Sequence, residues 1–260
     1  MSTGKFCWHD LMSTDPDISQ EFFTKLFGWT VNMVDMGPAI GNYRMLMNGG
    51  DSIGGIMPME EGVPMPSHWV GYVTVDDVDA ALTRGSNGGG RTCMPGTDIP
   101  EVGRFGVLSD PTGAVVCPFK SVHEEPAEEG PTTQAVGSFC WNELLTNDVD
   151  AARAFYGEVF GWKHQESDMG EMGVYTLFRS DDQDRAGMMT MPPNVQAPPH
   201  WLGYVLVEDI EAKATEITSL GGTLHCGPMD IPGIGRFAVG ADPTGAGFAL
   251  FKGAPNPDCD

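Results

Sequence analysis

TDPDISQEFFTKLFGW, residues 14–29, and TNDVDAARAFYGEVFGW, residues 146–162, are two versions of one pattern. In the first, Asp15 is an N-cap acceptor and Pro16 takes the first helical position. Phe22, Phe23, Leu26 and Phe27 recur at helical spacing, and Phe155, Tyr156, Val159 and Phe160 do so in the second; both read as the core stripe of a helix. Gly28 then stops the first helix as a C′ glycine. Outward from these segments the likeness continues. Trp8 matches Trp141 and Trp29 matches Trp162, each pair 133 residues apart. Between the FGW motif and the Tyr43/Tyr175 pair the offset drops to 132, which places a turn there. At 132 follow HW at 68 and 200, Tyr72 and Tyr204, DIP at 98 and 230, GRF at 103 and 235, DPTGA at 110 and 242, and FK at 119 and 251. The chain is a tandem duplication.

Module one is expected over residues 5–120 and module two over 137–252, joined by an acidic linker at 121–136 that contains HEEPAEEGPTTQ; a flexible tail spans 253–260. Within module one, alternation predicts a strand at 5–12, then the helix after Asp15, then short strands near 29–35, 42–48 and 52–57. The same order restarts: a strand from His68 to Val75, a helix capped by Asp76-Asp77 and running to about Arg84, a break at the glycines 88–90, and strands near 91–95, 103–109 and 114–119. DPTG reads as a β-turn between the last two strands and carries no chemistry. Each module is therefore two β-α-β-β-β halves.

The two helix segments, VTVDDVDAAL, LVEDIEAKA and the DPTGA turns resemble the vicinal-oxygen-chelate superfamily, which groups glyoxalases, bleomycin-resistance proteins and dioxygenases. The resemblance is to its two-module, glyoxalase-like bacterial members and covers nearly all of both modules. It implies an α+β fold: two tandem modules, each with two βαβββ units forming a curved mixed sheet around a cavity. It also implies a divalent metal held by a His or Gln in the first strand, a His in the fifth and a Glu in the eighth. The family's spacing carries those three positions onto Trp8, Val70 and Cys117 in module one, and onto Trp141, Leu202 and Ala249 in module two. One thiolate does not make a site for an oxygen-loving divalent ion. No metal or other cofactor is therefore expected; a divalent metal on relocated ligands is the alternative.

Strand side chains alternate, so residues two apart share a face. Trp8 brings Asp10 with it, and Trp141 brings Glu143; Val70 brings His68 and Tyr72, and Leu202 brings His200 and Tyr204. A carboxylate, a histidine, a tyrosine and a tryptophan per module suit acid–base chemistry or the holding of a polar ligand. Asp10, His68, Glu143 and His200 are the catalytic candidates, with the longer Glu143 favouring module two. Against this, His68 and His200 follow prolines at strand starts, where a histidine also bonds a loop. Trp8 and Trp141 offer a stacking face or simply fill space. Arg104 and Arg236, in the GRF motifs, suit an anionic substrate group or a salt bridge to an acidic turn. His9 points away from the candidate face.

The net charge of -22 repels phosphate backbones and anionic membrane surfaces. No apolar run approaches the length of a membrane span, no signal segment is visible at the N-terminus, and the six cysteines form no CxxC pair. A cytoplasmic protein with reduced thiols is expected, as a monomer or homodimer. The expected function is to bind, sequester or transform a small organic molecule without metal. The alternative is a glyoxalase- or extradiol-dioxygenase-type enzyme with Asp10 and His68, or Glu143 and His200, as replacement ligands. A third reading makes one module purely structural.

Overall fold

A computed structural model describes residues 3–37, 41–60, 62, 65–123, 134–170 and 173–254. Most of the expected linker, and the tail from residue 255, lie outside the described residues. The elements run β1 (Phe6–Ser13), α1 (Pro16–Phe27), β2 (Thr30–Asp35), β3 (Asn42–Asn48), β4 (Asp51–Pro58), β5 (His68–Thr74), α2 (Val78–Asn87), β6 (Arg91–Ile99), β7 (Gly103–Ser109) and β8 (Val115–Ser121) in the first half. The second half repeats them as β9 (Phe139–Thr146), α3 (Val149–Phe160), β10 (Lys163–Asp168), β11 (Val174–Ser180), β12 (Gln183–Thr190), β13 (His200–Leu206), α4 (Ile210–Ser219), β14 (Thr223–Ile231), β15 (Gly235–Ala241) and β16 (Gly247–Gly253).

Each half supplies one eight-stranded mixed sheet, ordered β2-β3-β4-β1-β5-β8-β7-β6 and β10-β11-β12-β9-β13-β16-β15-β14. The pairs β1·β4, β5·β8, β12·β9 and β13·β16 are parallel and the hairpins antiparallel, so the architecture is α+β, as the family resemblance implies. All four helices begin the same way: the carboxylates of Asp15, Asp77, Asp148 and Asp209 accept the N–H of Ile18, Ala80, Ala151 and Ala212 at 2.9–3.1 Å. Such caps satisfy donors that the first helical turn leaves open. Gly28 and Gly161 end α1 and α3 at φ 73° and 69°, a left-handed conformation that glycine adopts without strain. One strand differs from expectation. β6 does not stop near residue 95 but continues to Ile99, with register shifts around Met94 that carry Pro95 along a sheet edge. An edge strand with bulges tolerates a residue that cannot donate to the ladder.

The chain packs as two compact units, and each draws on both halves of the repeat. The first holds Met1–Trp8, Val70–Thr132 and Trp141–Leu202. Its core joins Val73, Leu82 and Leu108 with Leu144, Phe155, Tyr156, Phe178 and Trp201. α2 meets α3 there, with Arg84 Nη2 donating to the carbonyl of Val159 at 2.9 Å. The second holds His9–Trp69, Thr133–Cys140 and Gly203–Asp260. Phe22, Phe23, Leu26 and Trp29 pack there on Val205, Ile217, Phe248 and Leu250. These are the apolar stripes read from the sequence. Burying each large side chain contributes about 1.5–3 kcal/mol relative to leaving it exposed.

Candidate functional site

In the first unit, β9 alternates between two environments. Leu144 is buried in the helix-side core, so Trp141 and Glu143 lie on the opposite face. On β11, Phe178 enters the core, which places Tyr175 with Trp141 and Glu143. Between β11 and β9 runs β12, whose Gly187 is in register with Glu143. The Tyr175 ring crosses directly over that glycine: a Cβ added at Gly187 would lie 1.9 Å from Tyr175 Oη and 3.0 Å from Trp141 Nε1. The glycine is the gap through which the tyrosine reaches the next strand but one. There the indole N–H of Trp141 donates to Tyr175 Oη at 2.9 Å, and Tyr175 donates onward to the Glu143 carboxylate. Burial, reinforced by the negative charge of Glu143, pushes the Tyr175 hydroxyl well above its ordinary value, so it holds its proton at any physiological pH. Glu143 itself is buried, at 8 % exposure.

The second unit builds the same dyad with a shorter acid. Tyr43 Oη donates to Asp10 Oδ1 at 2.5 Å. Gly55 is in register with Asp10, and a Cβ on it would meet Tyr43 Oη at 1.8 Å. The strand pairing, the glycine and the tyrosine thus recur in both copies, with Asp in one and Glu in the other. Tyr43 and Tyr175 were absent from the candidates read off the sequence. The signal was present, since Tyr43/Tyr175 and Gly55/Gly187 each recur at offset 132. Alternation along one strand, however, does not reveal a side chain that crosses its neighbour; that needs the register.

The two histidines share one pose. Nδ1 of His68 lies 3.0 Å from the carbonyl oxygen of Pro66, and Nδ1 of His200 lies 2.8 Å from that of Pro198. A carbonyl only accepts, so Nδ1 carries the hydrogen and Nε2 keeps its lone pair. Burial lowers the His200 value against the pull of that carbonyl, which keeps the ring neutral. The loop contact weighed for these residues is therefore real, and it fixes a tautomer that leaves an acceptor at the ring's far end.

Other candidates are placed differently. Arg104 and Arg236 do not stand ready for an anionic ligand group. Arg104 makes a two-pronged contact to Asp79, at 2.9 Å for both prongs, and bonds Asp98 at 2.8 Å. Arg236 pairs with Glu211 and, at 2.7 Å, with Asp230. Acidic partners on the preceding hairpin strand and on the helix, rather than on a turn, hold both guanidinium groups in salt bridges. Tyr72 packs between Phe105 and Phe119, with ring centroids 5.9 and 6.2 Å away. Tyr204 is buried on β13 in register with Ala249, and Trp8 is half-buried on β1. His9 stacks on Phe139 at 3.9 Å, away from Asp10, as the alternation predicts.

The residues at the superfamily's metal positions do not fit a divalent ion. The first-strand position of module two is an indole whose N–H donates to Tyr175; an indole offers no lone pair to a metal. Leu202 and Ala249 offer none either. Among the described residues no group of three or more His, Cys, Asp or Glu side chains converges as a ligand set.

Residues 138–176, which contain Trp141, Glu143 and Tyr175, match the family described as "Bleomycin resistance protein-like N-terminal". Over 250 residues the chain is 38% identical to CFP32 of Mycobacterium tuberculosis (strain CDC 1551 / Oshkosh), a glyoxylase by its name alone, covering 95% of this chain and 94% of that one. It is 32% identical over 263 residues to the anthracycline biosynthesis protein DnrV of Streptomyces peucetius, covering 96% and 93%. Among solved structures it resembles the Mn(II)-bound glyoxalase from Novosphingobium aromaticivorans at TM-score 0.66 and 15% identity, covering 96% of this chain and 82% of that one. The homoprotocatechuate 2,3-dioxygenase from Arthrobacter globiformis aligns at TM-score 0.65 and 16% identity, covering 100% and 83%. The duplicated sheets, their strand order and these full-length relatives show that the chain belongs to the vicinal-oxygen-chelate superfamily of glyoxalases, bleomycin-resistance proteins and dioxygenases.

Proposed function

We propose that this protein binds a small organic molecule against the Trp141–Tyr175–Glu143 face of β9, β11 and β12, and does so without the divalent metal of its metal-dependent relatives. One observation carries the reading. Where the superfamily places its first metal ligand there is an indole, and its N–H is tied into a buried Trp–Tyr–Glu relay. A relay of this kind is a preorganised polar contact beside an aromatic face, which is what a small-molecule site requires. The Tyr43–Asp10 pair supports a second, related site in the other copy. The name of one relative, an anthracycline biosynthesis protein, is in keeping with a small organic ligand.

The test uses the full chain after exhaustive chelation. Planar aromatic fragments are titrated while tryptophan fluorescence is followed. The expected result is saturable binding that is unchanged by chelator and lost in Trp141→Ala. Binding that appears only after Mn(II), Fe(II), Ni(II) or Zn(II) is restored would overturn the proposal.

A further inference from the structure

The two copies of the tyrosine–acid dyad sit among different side chains. In the second unit, Leu11, Leu46 and Ile56 are buried in the helix-side core. Alternation therefore puts Met12, Met45 and Met57 on the opposite face, with Asp10, Tyr43 and Gly55. Met45 is in register with Gly55, the glycine that Tyr43 crosses, and Met12 is in register with Met57, next on this face after the Asp10–Gly55 pair. Met47 continues the row along β3, and Val34 stands opposite Tyr43 on β2. These methionines are half-buried, so part of each thioether remains open to contact. In the first unit the repeat carries Met12, Met45, Met47 and Val34 onto Leu145, Leu177, Arg179 and Ser167, and Met57 alone of these keeps its type, as Met189. Arg179 pairs there with Asp184 at 2.8 Å.

We infer that the Tyr43–Asp10 face of the second unit takes uncharged polycyclic aromatic molecules, and that its methionines, rather than the dyad common to both copies, set this preference. This rests on the second site proposed above and names its ligand class. A thioether is polarisable and makes favourable contacts with aromatic rings, and the three rotatable bonds of methionine let one surface fit rings of different outline. The branched leucines at the matching positions of the first unit fill a fixed shape and lack the sulfur. Rings stacked on several thioethers lose their hydration without loss, because little of it was favourable. A charged ligand on the same surface would surrender strong hydration to apolar groups that return none of it. The net charge of -22 disfavours anionic ligands further at long range.

The test uses the full chain labelled with carbon-13 at the methionine methyl groups, with 2-naphthol as probe and 2-naphthoate as its charged counterpart, at neutral pH. Signals are assigned from single Met→Leu variants, which conserve volume and keep the fold. Saturable displacement of the Met12, Met45 and Met57 methyl signals by 2-naphthol is expected, while the signal of Met188, buried in the core of the first unit, stays in place. Met189 reports on the other face and is expected to move only at higher probe concentration. The Met12→Leu, Met45→Leu chain, which gives the second unit the residues of the first, is expected to bind 2-naphthol about fivefold more weakly. Near-UV circular dichroism confirms that it is folded. In Trp141→Ala the displacements at Met12, Met45 and Met57 should persist, so the methyl signals follow this site and the fluorescence of Trp141 follows the other. Displacement confined to Met189, unchanged affinity in the folded double variant, 2-naphthoate binding here as tightly as 2-naphthol, or no saturable displacement at all each overturn the inference. None of these outcomes touches the reading of the first unit, which fails only if binding against Trp141 requires metal.

Discussion

At the scale of single residues, Gly187 makes the clearest demand. A methyl group there would occupy the position of the Tyr175 hydroxyl. Gly187→Ala is expected to expel the tyrosine, orphan Trp141 Nε1 and cost about 1–3 kcal/mol in urea unfolding. In a Tyr175→Ala background the same substitution should cost much less, because the atom it strikes is gone. Additive losses would mean that the ring does not cross the glycine. His200 gives a pH signature. Its folded-state value lies below that of an unfolded histidine, so the unfolded chain takes up the proton first. The stability that His200 contributes is present above the ordinary histidine value of about 6.5 and falls as pH drops towards the folded-state value. Unfolding midpoints measured between pH 8 and pH 5 should show that slope, and His200→Gln should remove it. Of the site, Trp141, Glu143 and His200 were legible in the sequence from strand alternation and the repeat. Tyr175 was not, and the two arginines sit in salt bridges, one of the two readings the sequence offered, because a recurring arginine serves a recurring salt bridge as well as a ligand.

Among the elements, the helices were the most legible, since an aspartate cap, an apolar stripe and a terminal glycine agree in each copy of FGW. Their caps make a direct prediction: Asp148→Ala should destabilise by about 0.5–2 kcal/mol, read by thermal or urea unfolding. The two copies differ inside these elements in an instructive way. On α3, Tyr156 Oη accepts from Trp201 Nε1 at 2.9 Å and donates to Asp110 Oδ2 at 3.1 Å. On α1 the matching residue is Phe23, the buried Trp69 Nε1 has no hydrogen-bond partner among the described residues, and Ser19 satisfies Asp242 at 2.6 Å. DPTG, read from sequence as a turn alone, therefore also anchors a helix through its aspartate. Tyr156→Phe leaves both Trp201 and Asp110 Oδ2 short of a bond and should cost about 1–3 kcal/mol, whereas Ser19→Ala should act through Asp242 in the other unit. A neutral Tyr156→Phe would show that the bond is not formed in solution.

For the molecule as a whole, the sequence boundaries of the repeat are not the boundaries of its cores. Each compact unit takes strands and a helix from both halves, which a scan for repeats along the chain cannot reveal. The tryptophans of the FGW motifs work within this arrangement: Trp29 Nε1 donates to the carbonyl of Gly137 at 2.7 Å, and Trp162 Nε1 to that of Gly4 at 2.9 Å. A polypeptide of residues 1–123 alone would expose the faces of α1 and α2 that pack against residues from the other half. It is expected to self-associate or lose near-UV dichroism, as judged by size-exclusion chromatography and circular dichroism, rather than persist as a folded monomer. The Mn(II)-bound glyoxalase shares the fold; Trp141, Leu202 and Ala249, onto which the family's spacing carries the ligand positions of module two, offer a metal no lone pair. The most direct test is therefore elemental analysis of untagged protein before and after equilibration with Mn(II), Fe(II), Ni(II) and Zn(II). The account predicts no stoichiometric metal under either condition and no change in melting temperature. One tightly held metal per chain, abolished by Glu143→Ala or His200→Ala, would contradict it and make these residues the ligands of a metal-dependent enzyme.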